Sequence, residues 1–179
     1  MNDASGDTVL ISIVSPDEVG LIAGVTGELF DLGANLADTS FAVLGFGCEF
    51  SCVAQLPKGV TPQAVEEALN GLQILGSASV KVTVFPFGAT HRESAEITHI
   101  IEVEGGDRPG LIARMAEVLA DFDANVVRMN SRVRPGVDGR NQYITTFAVW
   151  MPEGRAETCL AAVHNTAGQL NLGCRYRTA

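Results

Sequence analysis

Two α+β domains in tandem are what this sequence predicts. Each is a βαββαβ unit with its helices on one face of a four-stranded antiparallel sheet. The first observation behind this is a repeat: Asp17-Glu18-Val19-Gly20-Leu21-Ile22-Ala23 recurs as Asp107-Arg108-Pro109-Gly110-Leu111-Ile112-Ala113. Leu29, Asp31, Ala34 and Asn35 recur as Leu119, Asp121, Ala124 and Asn125 at the same offset. A period this long marks paired domains and not a solenoid of short repeats. The second observation is that hydrophobic spacing alternates between periods of two and about 3.6, in the same order in both halves.

In the first half, Val9 to Val14 is a β-branched run ended by Ser15-Pro16-Asp17, a strand followed by a turn. Leu21, Ile22, Val25, Leu29 and Leu32 then form one helical stripe stopped by Gly33. Residues 37–45 and 46–57 alternate as two strands, with Gly45 and Gly47 at the hairpin. Thr61-Pro62 opens a second helix, proline suiting its first turn. Val80, Val82 and Val84 make the last strand. In the second half, Ile97 to Val103 is a strand, and Leu111, Ile112, Met115, Leu119 and Phe122 repeat the helical stripe. Residues 125–134 and 141–151 are strands around a turn rich in Gly and Pro, a helix runs through Leu160 and Val163, and Leu172 to Arg177 closes the sheet. The expected boundaries are 1–86 and 96–179, with residues 87–95 as a polar linker. This order implies the ferredoxin-like split βαβ. Strands 1 and 3 are expected to be central, parallel neighbours reached by right-handed crossovers. The sheet face without helices then favours docking against another copy, so the chain is expected to form a homo-oligomer, with the halves packed as a pseudo-dimer.

Composition narrows the function. The chain is 179 residues, 46 % hydrophobic and 18 % charged, which describes globular domains. No apolar run reaches the length of about 20 residues that spans a bilayer. The start lacks a basic and then apolar leader, and a soluble, cytoplasmic protein without membrane contact is expected. Net charge is −9. It is uneven: residues 1–88 hold two cations, Lys58 and Lys81, against ten anions, while residues 89–179 hold ten arginines and eleven anions. Without a basic face, direct binding to nucleic acid is not expected. Cys48 and Cys52 share parity with Phe50 and read as small buried hydrophobes, not as redox or metal ligands. His91, His99 and His164 stand apart in sequence. Ser40, Ser51, Asp38 and Glu49 are scattered over strands, and no nucleophile–base–orienter arrangement is legible. No catalytic residue, metal or cofactor is expected.

What remains is the strand-to-helix junction found in both copies. Gly20 and Gly110 admit close approach of a ligand or another backbone. The helix that starts there presents unpaired N–H groups and a positive dipole end, a seat for a carboxylate. Asp17 and Asp107 either cap the helices or face a ligand. Asn35 and Asn125 follow the same helix and bring a carboxamide that both donates and accepts.

These residues resemble the signature of the ACT domain, an amino-acid-sensing regulatory module, across both halves. Two such units without an attached catalytic domain resemble the glycine cleavage system transcriptional repressor family. The resemblance implies a small amino-acid effector at a domain–domain interface, with glycine the first candidate. It implies ligand contacts from Asp17, Gly20, Leu21, Ile22 and Asn35, and from Asp107, Arg108, Gly110, Leu111, Ile112 and Asn125. It implies a non-enzymatic regulator acting through a protein partner such as a DNA-binding regulator. The alternatives are an interaction module with degenerate pockets, or the regulatory subunit of an enzyme of amino-acid metabolism. The first copy has Glu18-Val19 where the second has Arg108-Pro109. One feature belongs to the second half alone: Arg128, Arg132 and Arg134 share parity on one strand, opposite Val127, Met129 and Val133, which alternation places in a core. Arg128 stands where the first copy has Asp38. The row is either a solvated face or an electrostatic dock for an acidic surface.

Overall fold

The computed structural model describes residues 5–88, 90–106, 109–135 and 141–179. The chain divides into two compact units, residues 1–87 and 88–179. The first runs β1 (Ser5–Pro16), α1 (Leu21–Asp31), β2 (Asn35–Leu44), β3 (Gly47–Pro57), α2 (Pro62–Asn70) and β4 (Ser79–Val84). The second runs β5 (His99–Gly105), α3 (Leu111–Asp121), β6 (Asn125–Pro135), β7 (Asn141–Trp150), α4 (Ala156–Gln169) and β8 (Gly173–Thr178). The predicted order βαββαβ is present twice. A single turn of 3₁₀ helix, Gln73–Leu75, precedes β4 and inserts Leu75 into the core; periodicity gave no sign of it.

The sheets are ordered β2-β3-β1-β4 and β6-β7-β5-β8. The first and third strands of each unit are the central neighbours, but they are antiparallel, not parallel as the sequence reading had it. The reason is the split crossover. The helical connection from β1 returns to a strand one place away, β2, and the tight hairpin folds β3 back into the gap between them. The same device carries β3 through α2 to β4 on the far side of β1.

In the first unit, Val9, Ile11 and Ile13 of β1 and Phe50, Cys52 and Ala54 of β3 face Leu21, Val25 and Leu29 of α1 and Val65 and Leu69 of α2. The second unit repeats this with Ile101, Val103, Phe147 and Val149 beneath Met115, Leu119, Cys159 and Val163. Thr61 caps α2 by accepting the Ala64 N–H at 3.2 Å. The outer strands β2 and β6 lie beyond the helices, so nearly all their residues are exposed. That corrects one expectation: Met129 and Val133, placed in a core by alternation, are largely exposed because β6 is an edge strand.

The segment read as a linker is partly structured. Glu93–Ala95 forms a 3₁₀ turn, and the Asn125 carboxamide donates to the Ser94 carbonyl at 2.7 Å. The end of this segment therefore packs within the second unit.

Candidate functional site

Each helix junction is built on a glycine. Gly20 (φ 96°) and Gly110 (φ 82°) occupy the N-cap positions of α1 and α3 in the left-handed region. A side-chain-bearing residue there costs roughly 1–2 kcal/mol. Neither helix receives a side-chain cap. Asp17 is therefore not the helix cap; its own N–H donates to the Phe46 carbonyl at 3.1 Å and ties the β2–β3 hairpin to the junction. The first intrahelical bonds are Gly24 N–H to Gly20 O (2.8 Å) and Arg114 N–H to Gly110 O (2.9 Å). The amides of Ile22, Ala23, Ile112 and Ala113 precede them and are left to other acceptors. Asp107 and Arg108 lie outside the described residues.

In the second unit this first turn borders a cleft of about 270 Å³ lined by Gly110, Leu111, Ile112, Ala113, Ser131, Tyr143 and Thr145. Ser131 on β6 pairs with Thr145 on β7 in the strand register, and their hydroxyls lie 2.9 Å apart. Thr145 is only 1 % exposed, although it sits in a strand otherwise apolar on that face. In the first unit the corresponding cleft is about 450 Å³ and is lined by Asp17, Glu18, Gly20, Leu21, Ile22, Ala23 and Phe41. Phe41 pairs with buried Phe50 at the rung where the second unit has Ser131 and Thr145.

The structure thus groups Gly110, Leu111 and Ile112, and separately Asp17, Gly20, Leu21 and Ile22, as the sequence had them. Ile22 and Ile112 are 43 % and 41 % exposed and border the clefts instead of completing the helical stripe. It does not group the asparagines with them. Asn35 and Asn125 lie at the other end of α1 and α3, one helix length of roughly 16 Å away at 1.5 Å per residue. Asn125 is occupied by the Ser94 carbonyl. Ser131, Tyr143 and Thr145 were missed. Their signal was present: Ser131 and Thr145 are polar residues at inward parity, between Met129 and Val133 and between Tyr143 and Phe147.

A bulge between Val126 and Arg128 sets Arg128, Arg132 and Arg134 opposite Ala148, Ile144 and Gln142, on the face away from the helices. Cys48, Cys52 and Cys159 are buried, and burial is the leading cause raising all four thiols above their ordinary pKa. For Cys48 the Asp17 carboxylate adds to the rise. Such thiols are poor nucleophiles. Among the described residues, no three His, Cys, Asp or Glu side chains come together as a metal site, and no helix is long and apolar enough to cross a membrane.

Comparison with known proteins gives the fold a relative. Residues 99–149 match the ACT domain model. The full chain is similar to a structure of an unknown protein from Galdieria sulphuraria, with a TM-score of 0.75, 18 % identity, and 97 % and 98 % of the two chains covered. It is also similar to one described as "putative glycine cleavage system transcriptional repressor", with a TM-score of 0.66, 13 % identity and 97 % of each chain covered. At these identities the likeness is one of fold. Among curated proteins, no sequence matches significantly. With βαββαβ present twice, the chain has a tandem ACT-like fold, and residues 99–149 of its second unit are similar to the ACT domain.

Proposed function

We propose that the protein is a non-enzymatic regulator. It binds a small amino acid at the α3 junction and alters its contacts with a protein partner. The observation that carries this reading is the second unit's cleft, where an uncapped helix start meets hydroxyl-bearing side chains. A helix N-terminus favours a carboxylate through its free amides and its dipole. A glycine-like effector and a role in repressing glycine cleavage genes come from the ACT resemblance and from the description of a similar fold.

The ligand acts by binding one arrangement of the molecule better than another. Asp107, Arg108, Asn35 and Asn125 enter as ligand contacts on the resemblance. The asparagines, remote from the junction in their own unit, then act on another copy's junction in a homo-oligomer. Arg128, Arg132 and Arg134 offer a surface to an acidic partner. With a net charge of −9, action on genes runs through a DNA-binding partner, in the cytoplasm, and not through direct contact with DNA.

A thermal-shift series with the twenty amino acids tests the reading, because a ligand that binds only the folded state raises the melting temperature. A rise with one or a few of them supports it; no rise with any overturns it. A second reading, a protein-interaction module, is favoured by the apolar tip of the first unit. Val19 and Phe46 are fully exposed there, beside Ile22 and Phe41. Unchanged melting temperatures together with self-association or partner capture through Val19 and Phe46 favour that reading.

A further inference from the structure

We infer that the apolar tip of the first unit docks on the helix-free sheet face of the second unit of another copy, so that the chain assembles head to tail. This rests on the interaction-module reading of the tip and not on ligand binding, so its failure and the failure of the sensor reading are separate events. The tip is made of two loops. Val19, in the turn before α1, and Phe46, in the β2–β3 hairpin, are both fully exposed. The Asp17 N–H donates to the Phe46 carbonyl at 3.1 Å and holds the two loops together. Asp17 and Glu18, in the same turn as Val19, add two exposed carboxylates. An apolar patch rimmed by charge is the usual mark of a protein contact.

The receiving face carries the opposite charge. One rung of the second sheet runs Arg128, Ala148, Ile100, Arg177 from edge to edge, an arginine at each end and apolar side chains between. Three strand spacings of about 4.8 Å set its ends roughly 14 Å apart. Arg132 and Arg134 extend the row along β6. The acids of this face, Glu102 and Glu104, are both taken by Arg175. Among the described residues no ion pair reaches Arg128, Arg132 or Arg134. Half-buried Ile100 and Thr146, with exposed Tyr176 and Arg177, border a cleft of about 380 Å³ on the same side. A ring such as that of Phe46 is the kind of anchor that fills a cleft of this sort, with ion pairs at its rim.

Each feature occurs once per chain. The first unit has no arginine, and the outer strands of its own helix-free face carry Ser40, Ala42, Lys81 and Thr83. The second unit reads Asp107-Arg108-Pro109 where the first has Asp17-Glu18-Val19, so the acidic and apolar pairing of the tip is not repeated. Tip against tip opposes carboxylates, and face against face opposes arginines; like charges so placed disfavour both contacts. Only tip on face joins opposite charges. Such a contact is heterologous, and it either closes into a ring or runs on as an open chain. It uses the first unit's junction for assembly and leaves the α3 junction to a ligand.

Sedimentation velocity of the full chain over a wide concentration range tests this. Phe46→Ser breaks the tip, and Arg128→Glu combined with Arg177→Glu breaks the face. All three side chains are exposed, so each variant should keep the wild-type melting temperature. Glu18→Arg replaces Phe46→Ser if that variant melts lower. The wild type should form concentration-dependent oligomers at low salt that weaken as salt screens the rim charges. Each variant alone should associate at least tenfold more weakly. An equimolar mixture of the tip variant and the face variant should form a one-to-one pair and stop there, because one supplies an intact face and the other an intact tip. A wild type that stays monomeric at every concentration, either variant associating as well as the wild type, or a mixture that forms no pair overturns the inference. The thermal-shift series with amino acids decides the sensor reading separately.

Discussion

The two units are built on one plan and differ at two neighbouring rungs of the sheet. In the first, the rung next to the helix start is Phe41 opposite Phe50, and the next is Thr39 opposite Cys52. In the second, the rung next to the helix start is Ser131 opposite Thr145, and the next is Met129 opposite Phe147. The bulky ring and the small polar group have changed places on the inner face. Each core still receives one buried phenylalanine from its third strand, Phe50 or Phe147. Only in the second unit does the exchange bring hydroxyls to the free helix N-terminus. Packing is satisfied by either order, so the order is available to function. One copy has a cleft lined with donors; the other has acid and exposed apolar surface at the same place.

The strongest way to break the comparison is at the displaced rings. Phe50→Ala and Phe147→Ala should each cost about 3–5 kcal/mol, the range for emptying a buried aromatic site. Urea unfolding followed by far-UV circular dichroism checks both. Trp150, the single tryptophan, lies on β7, so its fluorescence reports on the second unit alone. An effect several times larger in one unit would show that the exchange is not neutral for packing.

The junction glycines come next. Gly20→Ala and Gly110→Ala should each cost roughly 1–2 kcal/mol, because the backbone is left-handed at both positions. Neither added methyl meets an atom closer than 3.7 Å, so backbone conformation and not crowding sets the effect. Equal losses in the two units are expected by the same denaturation measurement; unequal ones would sharpen the distinction beyond the sheet.

The caps differ too. Thr61→Ala should cost about 1 kcal/mol by removing the side-chain bond to the start of α2. In the second unit, α4 begins at Arg155 with no side-chain cap, so Arg155→Ala should affect stability through its ion pair with Asp123 instead. The smallest effect concerns the second unit's outer sheet face, where Arg175 bonds Glu102 and Glu104. The first unit has Lys81, Ser12 and Val14 at the matching positions. The guanidinium is largely exposed, so Arg175→Ala should have the smallest effect of the set, lost altogether in 1 M salt.

Most of the fold was legible because repeat and periodicity agreed: every α-helix and strand among the described residues was found, and Gly33, Gly45 and Thr61-Pro62 marked real element ends. Two things escaped for physical reasons. Alternation reports which face a residue takes, not whether a helix covers that face, so Met129 and Val133 on an edge strand were misread as core. The residues lining the second cleft were hidden by register. Between the equivalent rungs, Phe41–Phe50 and Ser131–Thr145, the second hairpin is five residues longer than the first. Thr145 therefore aligns with Phe50 only after a shift that the gapless repeat, ending at Asn125, does not reveal. The glycines, by contrast, declared themselves because the left-handed N-cap tolerates little else. The asparagines shared the repeat but not the place, since a whole helix separates them from the glycines.

The central claim is that the second unit's junction binds a ligand and the first unit's does not. Two-dimensional amide correlation spectra of the ¹⁵N-labelled full chain, titrated with glycine, test it most directly. The account predicts saturable shifts concentrated at Gly110 to Ala113, Ser131, Tyr143 and Thr145, with Gly20 to Ala23 and Phe41 unmoved. Shifts centred on Gly20 to Ala23, or equal shifts at both junctions, would contradict it.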